Sequence, residues 1–324
     1  MLSLADLFAS MRARIVLARA RLSAQKSDVH RSKSAPEGQA CMPLIYLDQN
    51  ASLKLGFAAK DAALRAKLDG VIASGLMTIV VSSWHLIETA HTENVEMAVA
   101  LADFTDSLKP MWLLERRDIQ RLDVEEDFLR FAKIDFEPVP RVTTRSAVIA
   151  SLNRAKDSAK YDIPSRNFVK QWIEHPEQLE TLEKTYRENA EALIGLRELV
   201  KAGKLTPEIR ERTDREFFKQ LLPKFTRAGL EIGDDTKKQY LEQAMVRCVP
   251  SLAIETAISE HEWVVQGGAD RNTLIDKMHL IAALPYTCEI VSNDKLFGRL
   301  HPIAAKTGHV RAQLLSNEEF LKRF

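Results

Sequence analysis

Cysteine is nearly absent from this chain, and what there is has no pattern. Cys41, Cys248 and Cys288 are the only three in 324 residues, and none stands at a metal-ligand spacing from another. Neither a disulfide framework nor a zinc site is therefore expected, and a reducing, cytoplasmic compartment is. No apolar run approaches the roughly 20 residues that span a bilayer, so no membrane partner is expected. The h-region of a secretory signal is missing. A Gly-rich phosphate loop and a Gly-x-Ser-x-Gly nucleophile elbow are also missing, which removes support for ATP hydrolysis and α/β-hydrolase chemistry. Strong charge of one sign is lacking too, since the formal net charge is +1. That value hides an uneven distribution. Residues 1–40 carry seven Lys/Arg against three Asp/Glu, residues 271–324 carry eight against five, and the middle is left at −6. A nucleic acid would need a local basic patch.

What is present describes a globular protein, with 45% hydrophobic and 28% charged residues. Residues 1–40 are expected to be an amphipathic helix followed by a polar linker. The Arg-rich start fits a transit peptide, a partner-binding helix, an arm on nucleic acid, or a helix packed on its own protein. Leu44 to Leu47 reads as a buried strand ending at Asp48, and Met77 to Val81 as a second, without the polar alternation of a half-exposed strand. Ser82-Ser83 opens a helix that carries Glu88, with His85 and His91 as ordinary packed or solvated residues beside it. Strand, helix, strand, helix at this spacing implies right-handed crossovers and a parallel sheet.

From residue 101 to residue 268 the pattern turns helical, with Trp112 to Leu114 as one short strand candidate. Helices are expected over 177–202, after Thr206-Pro207 and from Asp234-Asp235, with bends at Pro223 and Pro250. Gly267-Gly268 closes this section. Then Arg271 to Phe297 reads as a helix capped by Asn272 or Thr273, a break at Pro285-Tyr286, a buried strand, and an acidic turn. Asp276 is expected in the first turn of that helix, where the helix dipole favours an anion. A last strand is expected over 309–315. The fold class is therefore α/β with a mainly parallel sheet of four or five strands. It is built from residues 41–100 and 269–324, interrupted by a large all-helical insertion over 101–268.

Four carboxylates occupy comparable places: Asp48 and Asp294 after strands, Glu88 and Asp276 on the helices. Converging at one sheet edge, they would supply the oxygen ligands that Mg²⁺ or Mn²⁺ prefers. Three of them have a plainer alternative: Asp48 and Asp294 as turn residues or helix caps, Glu88 as a solvated charge. His279, three residues after Asp276, can orient that acid or be a core histidine. Asn50 and Ser83 can support the ligands from outside. A basic run over 141–170 carries Arg141, Arg145, Arg154, Lys156 and Lys160, with Tyr161 and Phe168 interleaved. It can contact RNA or be a solvated face.

The stretches IYLDQN at 45–50, SSWHLIETA at 82–90, LIDKMHLIAALPY at 274–286 and IVSNDKLF at 290–297 resemble the PIN-domain nucleases. The resemblance covers under a third of the chain and does not include the insertion. It implies a three-layer α/β/α core and an endoribonuclease whose acids are Asp48, Glu88, Asp276 and Asp294, with Ser292 and Asn293 beside the last. It also implies Mg²⁺ or Mn²⁺, an RNA substrate, a toxin or defence role, and an inhibitor, antitoxin or sensor partner; a homo-oligomer is compatible with it. A catalytically silent PIN-like scaffold is the alternative. A phosphatase with a nucleophilic Asp would carry Asp-x-Asp, where this chain has Asp48-Gln49-Asn50.

Overall fold

A computed structural model describes residues 43–153, 157–180, 218, 233–244, 246–265 and 271–324. The helix and linker expected over 1–40, Arg154, Lys156, most of the helix expected over 177–202, Thr206-Pro207, Pro223 and Gly267-Gly268 lie outside the described residues, as do the cap side chains Asn272 and Thr273. No helix among the described residues is long and apolar enough to cross a membrane.

Six strands form one sheet: β1 (Leu44–Leu47), β2 (Thr78–Val81), β3 (Met111–Leu113), β4 (Val142–Thr143), β5 (Glu289–Val291) and β6 (Gln313–Leu315). Their order is β4-β3-β2-β1-β5-β6. Every pair is parallel except β3 with β4. The mixed α/β class with a mostly parallel sheet is thus as expected. Two strands, β3 and β4, come from the stretch assigned to an all-helical insertion, so that boundary moves: the sheet reaches at least to Thr143. The last strand begins at Gln313, because residues 309–312 form the loop that brings it into register.

The sheet is central because successive strand residues feed two different cores. Ile45, Leu47, Ile79, Val81, Trp112 and Val291 join one hydrophobic cluster; Tyr46, Val80, Leu113 and Ile290 join another. This is the period-2 alternation of a strand with both faces covered, and it explains why these segments read as unbroken apolar runs. Helices α1 (Gln49–Ala58), α2 (Ala62–Ala73), α3 (Ser83–Ala90) and α4 (Val95–Ser107) supply the first cluster. Of the next helices, α5 (Arg116–Phe131) contributes Ile119 to the second cluster, α6 (Arg145–Leu152) and α7 (Ser165–Glu174) join the first, and α8 (Asp234–Gln243) packs Tyr240 against α5. The second cluster is completed by α9 (Pro250–Val265), α10 (Arg271–Ala283) and α11 (Lys295–Ala305), while α12 (Asn317–Leu321) closes the chain.

Pro250 begins α9 rather than bending it. At a first helical position the missing N–H costs nothing and the fixed φ suits the helix. Asp276 lies past the first turn of α10, which carries no acid there.

Arg141 precedes β4 and is only 7% exposed. Its guanidinium meets Asp123 at 2.8 Å and Glu126 at 2.8 Å, both on α5. Asp123 also accepts from the Ser251 backbone at 3.1 Å and from the Tyr286 hydroxyl. This buried network ties α5, β4, α9 and the turn after α10 together.

Candidate functional site

The strand order reverses between β1 and β5, where chain connections leave in opposite directions. In an open α/β sheet a crevice forms there, outside the carboxyl ends of the strands. Asp48 follows β1 and Asp294 follows β5, so both acids stand at that crevice. The Asp48 N–H donates to the Val291 carbonyl at 3.1 Å, fixing the two strand ends together.

Local chemistry explains each placement. Asp48 caps α1, its carboxylate accepting from the Ala51 N–H. Asp294 caps α11, accepting from Leu296 N–H at 2.6 Å. The cap roles considered for these two acids are therefore present, and a capping carboxylate keeps its second oxygen for other work. Ser292 serves both acids: its oxygen accepts from Asp294 N–H at 2.9 Å, and its hydroxyl bonds the Asp48 carboxylate. Asp48 is 7% exposed. Burial holds its pKa above the ordinary carboxylate value, and the Asp294 charge adds to that.

Glu88 on α3 is pushed up to about 8 by burial, then by Asp276 and Asp48. Its Oε2 is buried and has no hydrogen-bond partner. The structure thus brings Asp48 and Asp276 within electrostatic reach of Glu88, and Asp294 within reach of Asp48. Gln49 donates to Thr89 at 2.7 Å and locks α1 against the Glu88 turn of α3.

Beneath the acids lies a buried floor that sequence reasoning missed. The Tyr46 hydroxyl bonds His279 Nδ1 and lies 3.2 Å from Ser82 Oγ. The rings of Tyr46, His85 and His279 stand within 5.4 to 5.8 Å of one another. The available signal was a tyrosine in an otherwise aliphatic strand, since a buried hydroxyl requires a partner. His279 therefore belongs to this floor; burial, then His85, lowers its pKa well below the ordinary value, and its Nε2 is buried without a partner.

His85 has a defined tautomer. The Ser82 backbone N–H donates to Nδ1 at 3.0 Å, so the proton is on Nε2, which donates to the Leu47 carbonyl at 2.6 Å. That pair fixes the start of α3 against the end of β1, one residue before Asp48. Burial lowers the His85 pKa from 6.5 to about 4. The unfolded chain then binds the proton first, so this group's contribution to stability drains as pH falls from 6.5 toward 4. Its full size is about 3 kcal/mol at 1.36 kcal/mol per pKa unit. Denaturant unfolding at pH 7 and pH 4.5 should show a smaller acid loss in His85→Gln than in the wild type. Parallel losses would show that His85 is not the buried neutral group.

Two of the other expected site residues, Ser83 and Asn293, bond to partners outside the four acids. Ser83 is buried with its hydroxyl on Glu115, not on the four acids. Asn50 is exposed on α1. Asn293 is exposed and accepts from Asn317 N–H at 2.9 Å, holding the start of α12. Arg141 is corrected outright, because its buried guanidinium is occupied by Asp123 and Glu126 and cannot reach a phosphate. Arg145 pairs with Asp106 at 2.6 Å. Because β4 runs antiparallel, Arg145 leaves at the amino end of β3, the sheet edge opposite the acids. Lys160 is exposed in a short 3-10 turn.

Among the described residues, no group of three or more His, Cys, Asp or Glu side chains is arranged to hold a metal ion. The chemistry of the donor set nevertheless suits a hard divalent cation: four carboxylates, one with a buried oxygen lacking any donor. The residues that could hold it are Asp48, Glu88, Asp276 and Asp294.

Fold and site define an α/β protein with acidic residues at the switch point of its sheet. No protein-family model, curated protein or solved structure matches the chain.

Proposed function

We propose that this chain is a divalent-metal-dependent endoribonuclease of the PIN-like type, with a three-layer α/β/α core. The observation that carries the proposal is the buried, partnerless Oε2 of Glu88 beside Asp48 and Asp276 at the crevice. A buried carboxylate oxygen without a donor is costly unless a cation or a proton occupies it. Asp48, Asp276, Asp294 and Glu88 would hold Mg²⁺ or Mn²⁺, which would supply positive charge to offset that developing on a scissile phosphate. The chain's own residues do the positioning. Ser292 holds Asp48 and the Asp294 backbone together; the His85 bond to Leu47 keeps the Glu88 helix against β1; the Tyr46, His279 and Ser82 floor keeps water out from below.

A second reading, a silent PIN-like scaffold, is favoured by the absence of a ready metal-binding arrangement among the described residues. The two separate in one assay on a mixed single-stranded RNA pool. The nuclease cleaves with Mg²⁺ or Mn²⁺ and stops with a chelator, and activity returns on adding the metal back. RNA left intact under all these conditions overturns the nuclease reading.

A further inference from the structure

Of the basic run over 141–170, Arg141 is held in a buried ion-pair network and Arg145 pairs with Asp106, and the chain carries a second basic stretch elsewhere. From Lys295 to Asn317 there is no Asp or Glu in 23 residues, while Lys295, Arg299, Lys306 and Arg311 all fall there. Helix α11 begins directly after Asp294, so its charges start at the crevice. Leu296, Phe297, Leu300 and Ala304 are buried against the second core. The opposite face exposes Lys295, Gly298, Arg299, Pro302, Ala305 and Lys306.

Spacings of four and eleven residues put Lys295, Arg299 and Lys306 along that one face. At 1.5 Å per residue they span about 16 Å. The residues between are small or rigid, and a Cβ built on Gly298 would meet nothing within 4 Å. A polyanion can therefore approach the helix closely. The patch extends to α9, where half-buried His261 has its pKa lowered by burial and then by Arg299 and Lys306, so all three lie near one another.

We infer that the exposed face of α11, carried by Lys295, Arg299 and Lys306, binds the phosphodiester backbone of a single-stranded nucleic acid and leads it to the acidic crevice. The purpose of this track rests on the nuclease reading; its test does not. Lysine and arginine side chains on a helix contact phosphates without reading bases, so binding depends on salt and little on sequence. Three phosphate contacts contribute about 2 to the slope of log affinity against log salt for a single strand, or about a hundredfold at 0.1 M.

The test uses the full chain, in chelator so that nothing is cleaved, with fluorescently labelled RNA and DNA strands of one sequence. Lys295→Ala/Arg299→Ala/Lys306→Ala should lower affinity about a hundredfold at 0.1 M salt and flatten the slope by about 2. Lys295→Arg/Arg299→Lys/Lys306→Arg, which keeps the charge, should bind as the wild type does. Lys160→Ala, outside this face, should also leave binding unchanged. The strand the wild type holds more tightly identifies the source of the backbone. Unchanged affinity and slope in the triple alanine variant overturn the inference, as does a wild type that binds neither strand. Loss of binding in that variant, from a protein that never cleaves with any metal, would uphold the track and sink the nuclease reading alone.

Discussion

Arg141→Met should cost about 3–5 kcal/mol of stability, the usual loss when one partner of a buried ion pair is removed. The side chain is 6% exposed, as is its partner Glu126, and Asp123 is 1% exposed. Removing the guanidinium takes from Asp123 the bonds from Nε at 3.1 Å and Nη2 at 2.8 Å. It takes from Glu126 the bond from Nη1 at 2.8 Å, and from the Val139 carbonyl a further donor. Ser251 and Tyr286 still serve Asp123, and the Val139 N–H at 3.0 Å and Arg130 at 3.6 Å still serve Glu126. A shift of the urea midpoint, with the slope unchanged, measures the loss. Arg141→Met combined with Asp123→Asn and Glu126→Gln should recover part of it, because no buried charge is then left over. A loss below about 1 kcal/mol in the single variant would mean that water reaches the network.

The same arginine shows where the sequence stops being readable. Its charge was plain, but its partners lie 18 and 15 residues upstream on another helix, and a linear pattern of Lys and Arg does not reveal such pairing. Ser83 failed for a related reason: its partner Glu115 comes 32 residues later, across a crossover. Strands β1 and β2 were legible because burial on both faces leaves them almost wholly apolar, with Thr78 at the start of β2 and the Tyr46 hydroxyl as the exceptions. Strand β4 was not, since two residues, Val142 and Thr143, at an antiparallel edge carry no periodicity. Asp48 and Asp294 were legible as acids following strands. Their meeting depended on β5 lying beside β1, which right-handed crossovers permit and tertiary packing decides. Tyr46 stood out in its strand, but its partner His279 was not legible because it lies 233 residues away.

Asp48→Asn and Asp294→Asn should each abolish most cleavage while sparing the fold. Both side chains cap helices by accepting a backbone N–H, and Asn caps as well as Asp. Each substitution removes one charge from a cluster in which the two acids repel. Asp48 already has a raised pKa, from burial first and Asp294 among the lesser causes, so apo stability should hold or rise in Asp48→Asn. The response to metal should move the other way. A cation that binds only the folded wild type adds about 2.7 kcal/mol of stability at a hundred times its dissociation constant. Either variant should lose most of that gain, read as a smaller rise in melting temperature on adding Mg²⁺ or Mn²⁺. If the bound charge is worth about 3 kcal/mol to the transition state, cleavage falls at least about a hundredfold. Weakened metal response together with intact apo stability distinguishes a lost ligand from a damaged fold. Wild-type cleavage rates in both variants would remove Asp48 and Asp294 from the site.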